Sequence, residues 1–344
     1  MTMKVTKTEP LMQFIVSAGP TFGLGHLRRM QAVARACLDT KLTSNIRFFI
    51  MGYEKNTIPL SLFNLNFCEI KFGNVLDLSV HHSDFRNEVL VFDLHRQHLT
   101  KNLFDYLNAS SEKGSFIVTI DHLATIESIR ADIRWIPSFF KDPLWPPQLD
   151  IDYGWGNYLF EKKRQTAVPP RKNRLLILTG GSDIAGLSYI WPKLLDERLD
   201  QPIEITWVQG PFSQSPIVSQ NSKHHFLVIK APDGLDDLIN SNDWVLSVHG
   251  ISVFESLSYT RPTIVFNPYL DHNVLEMSAL EEANVAFVAH NHDEIIAYLK
   301  FLMTTQEKAI TQNSSITHLL DGHGAYRLVE KIKHLCSTLN LITT

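Results

Sequence analysis

Apolar residues fall along this chain in short unbroken runs, and stretches with helical spacing lie between them. Phe14–Ser17, Ile46–Met51, Val89–Phe92 and Phe116–Ile120 are such runs in the first half, while Leu27–Leu38 and Leu99–Leu107 read as amphipathic helices. Runs this uniformly apolar suit strands covered on both faces, and their alternation with helices predicts a doubly wound parallel α/β domain. The alternation breaks at Trp135–Tyr158, an irregular stretch holding Pro137, Pro143, Pro146 and Pro147. It resumes with Leu175–Leu178, Ile203–Val208, Phe226–Lys230, Trp244–Val248, Thr263–Phe266 and Val285–Val288, and closes on a helix at Ala325–Leu341. The charged, proline-doubled segment Glu161–Asn173 reads as a linker. The pattern therefore predicts two α/β domains, 1–168 and 169–344, with the closing helix free to pack back on the first. Open α/β sheets bind ligands at the carboxyl ends of their strands, which predicts a cleft between two such edges.

Composition narrows the class. With 344 residues, 44% of them apolar, each half is long enough to bury a core of its own. A net charge of −4 gives no electrostatic reason to expect a nucleic-acid partner. Cys37, Cys68 and Cys336 are scattered, with neither zinc spacing nor a disulfide framework, which fits a reducing compartment. Met1–Pro10 is polar and lacks the apolar stretch of a signal peptide, and no run of about 18 uncharged apolar residues is present. A cytoplasmic enzyme is expected, with contact to a membrane surface left open.

Three glycine turns follow strand ends. The first, Gly19-Pro20-Thr21-Phe22-Gly23-Leu24-Gly25, leads into His26 and Arg29 at a helix start. Free N–H groups and the helix dipole attract anions there, and a histidine at that place exchanges protons near neutral pH. The bland alternative is a helix-capping histidine. The spacing is neither G-x-G-x-x-G nor a P-loop. The second turn, Thr179-Gly180-Gly181-Ser182-Asp183, lets backbone approach a ligand and offers Ser182 to phosphate oxygens; its alternative is a plain turn with Ser182 or Asp183 as helix cap. The third, Gly250-Ile251-Ser252 with Glu255 three residues on, is either a diphosphate site with Glu255 toward ribose hydroxyls or an S-x-x-E capping box. His272 and Asn273 open a further helix and could reach sugar hydroxyls; their alternative is a solvated helix cap. Asp93 ends one apolar run, with His95 beyond it, and could orient His26 or touch substrate; its alternative is a plain cap of the helix that follows. Asp121 ends another and reads more simply as a cap. His81-His82, His224-His225 and His290-x-His292 read as surface residues, and Trp135, Trp145 and Trp155 as packing residues. No metal spacing is found, so neither metal nor cofactor is expected.

Taken together, Gly23-x-Gly25-His26-x-x-Arg29, the strand ends at Asp93 and Asp121, Gly154–Leu159, Gly180-Gly181-Ser182-Asp183 and Gly250–Glu255 with Arg261-Pro262 resemble a known group. It is the UDP-sugar hydrolases of the pseudaminic-acid pathway with their spore-coat polysaccharide relatives. They belong to the GT-B superfamily, as does the lipid-II-forming N-acetylglucosaminyltransferase. The resemblance implies a GT-B fold of two Rossmann-like doubly wound domains facing an interdomain cleft. It implies a UDP-sugar donor whose diphosphate meets Gly180, Gly181 and Ser182 and Gly250, Ser252 and Glu255. It makes His26, with Asp93, the catalytic base, and puts Gly25, Arg29, His95, His272 and Asn273 on the sugar or acceptor side. His95 stands where the hydrolases carry tyrosine. The expected function is an inverting glycosyltransferase of bacterial surface-glycan synthesis, transferring to a glycan, lipid or small-molecule hydroxyl. The alternatives are a hydrolase using water and a non-catalytic nucleotide-sugar binder.

Overall fold

A computed structural model of the chain describes residues 9–52, 68–78, 88–163, 173–268, 274–305, 316 and 318–338. The strands are β1 (Leu11–Ser17), β2 (Ile46–Met51), β3 (Glu69–Gly73), β4 (Glu88–Asp93), β5 (Phe116–Ile120), β6 (Ile133–Trp135), β7 (Arg174–Leu178), β8 (Glu204–Gln209), β9 (His225–Lys230), β10 (Trp244–Val248), β11 (Thr263–Phe266) and β12 (Phe287–Ala289). The helices are α1 (Gly25–Asp39), α2 (Val75–Leu78), α3 (Lys101–Glu112), α4 (Leu187–Arg198), α5 (Asp236–Ser241), α6 (Ile251–Ser258), α7 (Val274–Glu282), α8 (His292–Thr304) and α9 (Gly324–Thr338). Contacts divide the chain into two compact units: one runs to Glu161 and takes back the chain from His323, the other is Lys162–Gly322. The division thus falls ahead of residue 168, and most of the predicted linker, 164–172, lies outside the described residues. His81, His82, Asp271, His272 and Asn273 lie outside them too.

The two units share one topology. Strands of the first are ordered β3-β2-β1-β4-β5-β6 and those of the second β12-β11-β10-β7-β8-β9, and every described pairing is parallel. In each, the first strand of the unit lies in the middle and the chain winds outward to both sides. The crevice expected of such a sheet opens where the winding reverses, between β1 and β4 and between β7 and β10.

Burial follows from the sequence pattern. β1, β4 and β7 are buried along nearly their whole length, and helices cover both faces. Ile15, Phe49, Leu90, Phe92 and Ile117 meet Leu103 and Leu107 of α3 on one side of the first sheet. In the second unit Ile177, Trp207, Leu246 and Phe266 meet Trp191 of α4 and Ile295 and Leu299 of α8. α9 packs on α1, and Tyr326 Oη donates to Asp39 Oδ2 at 2.6 Å. The proline-rich stretch after β6 folds without long elements. Trp135, which ends β6, is 2% exposed and its indole N–H donates to the Asn157 carbonyl, while within the stretch Trp155 stacks on Phe139. No helix among the described residues is long and apolar enough to cross a membrane.

Candidate active site

The carboxyl edge of the first sheet gathers the titratable side chains. β1 stops at Ser17, and the chain turns tightly, with Gly19 and Gly23 exchanging hydrogen bonds at 3.1 and 2.8 Å and Gly23 at φ 68°. That conformation favours glycine. α1 then begins at Gly25, two residues ahead of the expected start, with no side chain capping it. His26 therefore sits inside the first turn, and its ring turns to the neighbouring strand: Nδ1 lies 2.7 Å from Oδ1 of Asp93. The capping reading of His26 gives way to this bond.

Arg29, one turn later on the same face, completes the cluster. Its Nε and Nη2 donate to the two oxygens of Asp93 at 2.9 and 2.7 Å, and Nη2 donates to Asp121 Oδ2 at 3.0 Å. Arg29, expected on the sugar side, is thus engaged with two carboxylates and is only 13% exposed. Nη2 also lies 2.9 Å from His26 Nδ1. A guanidinium only donates, and the two hydrogens on Nη2 are taken by the two carboxylates. The hydrogen between His26 and Asp93 then sits on Nδ1, so in the neutral ring Nε2 keeps its lone pair, the form a general base needs. Gly25 is exposed, and a Cβ built there meets nothing within 4 Å, so nothing local to the fold requires glycine at that place.

Asp93 is fully buried. Burial pushes its carboxyl up, but the Arg29 guanidinium and the His26 ring outweigh burial and hold it below the ordinary carboxylate range. Asp121 is lowered against burial as well, chiefly by Arg29. Asp121, read from sequence as a cap, starts a short 3-10 turn (Asp121–Thr125) at φ 62° and faces Arg29. Arg134 of β6 holds the chain beyond it by donating to the carbonyls of Ala124, Ile126 and Ile129.

Three more histidines ring this edge. His95 caps the turn Arg96–His98, its Nδ1 accepting from Gln97 N–H at 3.3 Å, and its ring centre lies 6.3 Å from that of His26. Ser17 Oγ accepts from His95 N–H and meets His98 Nδ1 at 2.7 Å. Phe22 lies between His95 and His98 and over Gly52, where an added Cβ would come within 2.3 Å of its ring. His122 Nδ1 lies 3.3 Å from Arg96. Burial first, and then neighbouring cations, lowers His95, His98 and His122 below the ordinary imidazole value, in His122 against the pull of Asp121 beside it. Ser17, Phe22 and His98 were not legible as site residues, since nothing in their spacing shows that β1, β2 and β4 are neighbours.

The corresponding edge of the second sheet carries fewer charged side chains; His249, just past β10, lies with Nε2 3.4 Å from Glu276 Oε2 of α7. After β7 the chain turns through Thr179, Gly180 (φ 81°), Gly181 and Ser182. Asp183 then caps α4, both carboxylate oxygens accepting N–H groups of Leu187 and Ser188 at 2.9 Å. Of the two caps foreseen it is Asp183, and it occupies N–H groups of α4. The Gly180–Gly181 turn is wedged against Gly210, whose place would bring a Cβ to 2.4 Å from both carbonyl oxygens, and Gly181 O accepts from Phe212 N–H. Thr179 Oγ1 and Ser182 Oγ are buried with no hydrogen-bond partner among the described residues.

α6 differs. Its cap position is Gly250, at φ 156°, no side chain caps it, and a Cβ at Gly250 meets nothing within 4 Å. Ser252 lies inside the helix and its Oγ is 3.3 Å from Ser247 Oγ, so the S-x-x-E capping box does not form. Glu255 lies one turn further in, half-buried. Of the histidines read as surface residues, His224 is instead buried, accepting from Ile203 N–H and bonding the Leu195 carbonyl, because the chain entering β9 tucks under α4.

By sequence, no protein-family model and no curated protein matches this chain. By structure it is similar to many solved proteins. The structure of MurG from Acinetobacter baumannii superposes with TM-score 0.59 at 12% identity, over 94% of this chain and all of that one. The spinosyn forosaminyltransferase SpnP gives 0.61 at 11%, over 96% and 100%. MnaA of S. aureus, solved with UDP, gives 0.55 at 14%, over 97% and 98%. Two doubly wound parallel units, matched over nearly the whole chain, make this a GT-B fold.

Proposed function

We propose that the chain is a nucleotide-sugar-dependent inverting glycosyltransferase. The observation that carries this reading is the His26–Asp93 bond at the point where the first sheet reverses its winding. An imidazole held through Nδ1 by a carboxylate, with Nε2 turned to accept, has the arrangement of a general base. A nucleoside diphosphate donor is supported by the open N-terminus of α6 and by the turn at Gly180, Gly181 and Ser182 in the second unit. It is also supported by the structural neighbours, one named as a sugar transferase and one solved with UDP.

In the proposed step His26 Nε2 takes the proton of an acceptor hydroxyl as that oxygen attacks the anomeric carbon. The new C–O bond forms, the bond from that carbon to the diphosphate oxygen breaks, and its electron pair leaves on the nucleoside diphosphate. Donors at a helix N-terminus stabilise the departing charge. The ion-paired Asp93 holds the imidazolium that results.

A panel of UDP-sugars, incubated with and without hydroxyl acceptors, tests the reading through UDP release and the anomeric configuration of the product. Acceptor-dependent release with inversion, lowered about 10²- to 10⁴-fold in His26→Ala with UDP affinity unchanged, is expected. Free sugar released equally without acceptor would make water the acceptor and the enzyme a hydrolase. UDP binding without turnover would make it a binder. Full turnover in His26→Ala would remove the base from the mechanism.

A further inference from the structure

The pairing of His26 with Asp93 raises a charge problem that the same cluster answers. A carboxylate beside a histidine base is useful because its negative charge favours the imidazolium. Here that charge is largely cancelled: Arg29 holds Asp93 through two hydrogen bonds at 2.7 and 2.9 Å, as a bidentate pair. Asp93 and Arg29 alone are neutral, so imidazolium formation beside them would add one uncompensated positive charge at a site where His26 and Arg29 are each only 13% exposed.

Asp121 restores the balance. Its Oδ2 and His26 Nδ1 lie 3.0 and 2.9 Å from the same Arg29 nitrogen, so they are no more than about 6 Å apart. With Asp121 the fixed charges sum to minus one, and the protonated imidazole brings the cluster to neutrality. We infer that Asp121, through its shared bond to Arg29, is a positioning residue that supplies the net negative charge on which the basicity of His26 depends. It acts in two ways. It takes the second hydrogen of Arg29 Nη2, which keeps Nδ1 of His26 the donor to Asp93, and its charge offsets the imidazolium.

The other groups facing this ring do not supply that charge. His95 and His98 approach from the turn after β4, His122 from the turn after β5, and Arg96 stands beyond His122. Each is neutral or cationic, so none of them offsets the imidazolium. Asp121 is also the residue whose backbone is held in the left-handed region, at φ 62°, with Arg134 fixing the segment that follows. Aspartate tolerates that conformation better than most residues, and the arrangement aims its carboxylate at Arg29.

This inference rests on the reading of His26 as a base, but its test does not. The ring nitrogens of His26 are followed by NMR through a pH titration in the full-length protein, the signal being identified by its loss in His26→Gln. In Asp121→Asn, which keeps an oxygen for Arg29 and removes the charge, the midpoint of His26 falls by about one pH unit, a tenfold change in its protonation ratio. In Asp121→Glu it stays within a few tenths of a unit of the parent. Arg29→Gln carries the opposite sign: removing the cation raises the midpoint, and it provides the test should Asp121→Asn fold poorly. Where a donor is turned over, Asp121→Asn moves the acidic limb of kcat/KM to lower pH by the same amount and lowers its plateau, with nucleotide affinity unchanged. A His26 midpoint that is the same in the parent, folded Asp121→Asn and Arg29→Gln overturns the inference, and it does so even if His26→Ala abolishes turnover. A midpoint that moves as stated, together with turnover indifferent to His26, upholds the charge argument and sinks the reading of His26 as the base.

Discussion

The carboxyl edges of the two sheets are built on the same strand order and furnished with different side chains. At the first, His26, Arg29, Asp93 and Asp121 share four hydrogen bonds between carboxylates, imidazole and guanidinium, and three further histidines stand around them. At the second, the turn after β7 is written in glycines and hydroxyls, the carboxylate of Asp183 is turned back to cap α4, and the imidazole after β10, His249, faces Glu276 at 3.4 Å. Topology places a crevice at each edge, and side chains decide what it does. One edge is equipped to hold and move a proton. The other offers backbone N–H groups and unpartnered hydroxyls, which suit an anion.

The sharpest way to break this contrast is Asp93→Ala. The residue is fully buried, and its loss leaves Arg29 with Asp121 alone and His26 Nδ1 without an acceptor. A broken buried pair costs about 3–5 kcal/mol. The denaturant midpoint of the variant is expected to fall accordingly, and turnover with it. A loss under about 1 kcal/mol would show that the cluster carries chemistry without supporting the fold.

Much of the fold and part of this contrast were legible beforehand, for physical reasons. Central strands such as Ile46–Met51, Phe116–Ile120 and Trp244–Val248 declare themselves because both their faces are covered and the run is apolar throughout. β3, Glu69–Gly73, escapes because it is an edge strand, half-exposed and written with Glu69 and Lys71 among its apolar residues. His26 was legible because a glycine turn and a helix start fall on consecutive residues. Asp121 was not, since a carboxylate after a strand looks the same whether it caps the next turn or meets an arginine 92 positions earlier. The capping-box alternative at Ser252 falls for a related reason: the motif is intact, but the helix starts two residues earlier than the motif requires.

Glycine substitutions probe the second edge with a smaller effect. Gly210→Ala drives a methyl to 2.4 Å from the carbonyl oxygens of Gly180 and Gly181, which are backbone and cannot swing aside. A cost of about 1–3 kcal/mol is expected, with weaker nucleotide binding as the turn is displaced. Gly25→Ala is the control. Its site is open helix, where alanine gains about 0.5–1 kcal/mol over glycine. Equal effects at the two positions would mean that the turn is looser than its contacts indicate.

Mild acid separates the edges by titration. His95, His98 and His122 are held below the ordinary imidazole value of about 6.5. Below that pH the unfolded chain takes up protons that the folded first unit resists, so stability falls as pH drops through about 6.5 and goes on falling to the folded values. Asp93 and Asp121, both lowered, contribute stability that is present above the ordinary carboxyl value of about 3.9 and is lost only below it. A decline in Tm between pH 7.5 and 5.5 therefore reports the histidines, and His122→Gln should reduce it. A Tm that is flat across that window would mean the rings take up protons freely in the folded state.

The smallest effect expected is also the most discriminating for the second edge. Ser182 Oγ is buried and bonds nothing among the described residues, so Ser182→Ala removes an unsatisfied group and should leave the stability of the ligand-free protein unchanged or slightly raised. If that hydroxyl waits for a phosphate oxygen, the same change weakens UDP binding by about fivefold to tenfold, the worth of one hydrogen bond. Calorimetric titration with UDP and a melting curve read the two quantities on one sample. Opposite signs, a protein no less stable but a weaker binder, would show a fold keeping a polar group idle for its ligand. Unchanged affinity would leave Ser182 a plain turn residue and move the diphosphate to the uncapped start of α6 alone, where Gly250 leaves the backbone open.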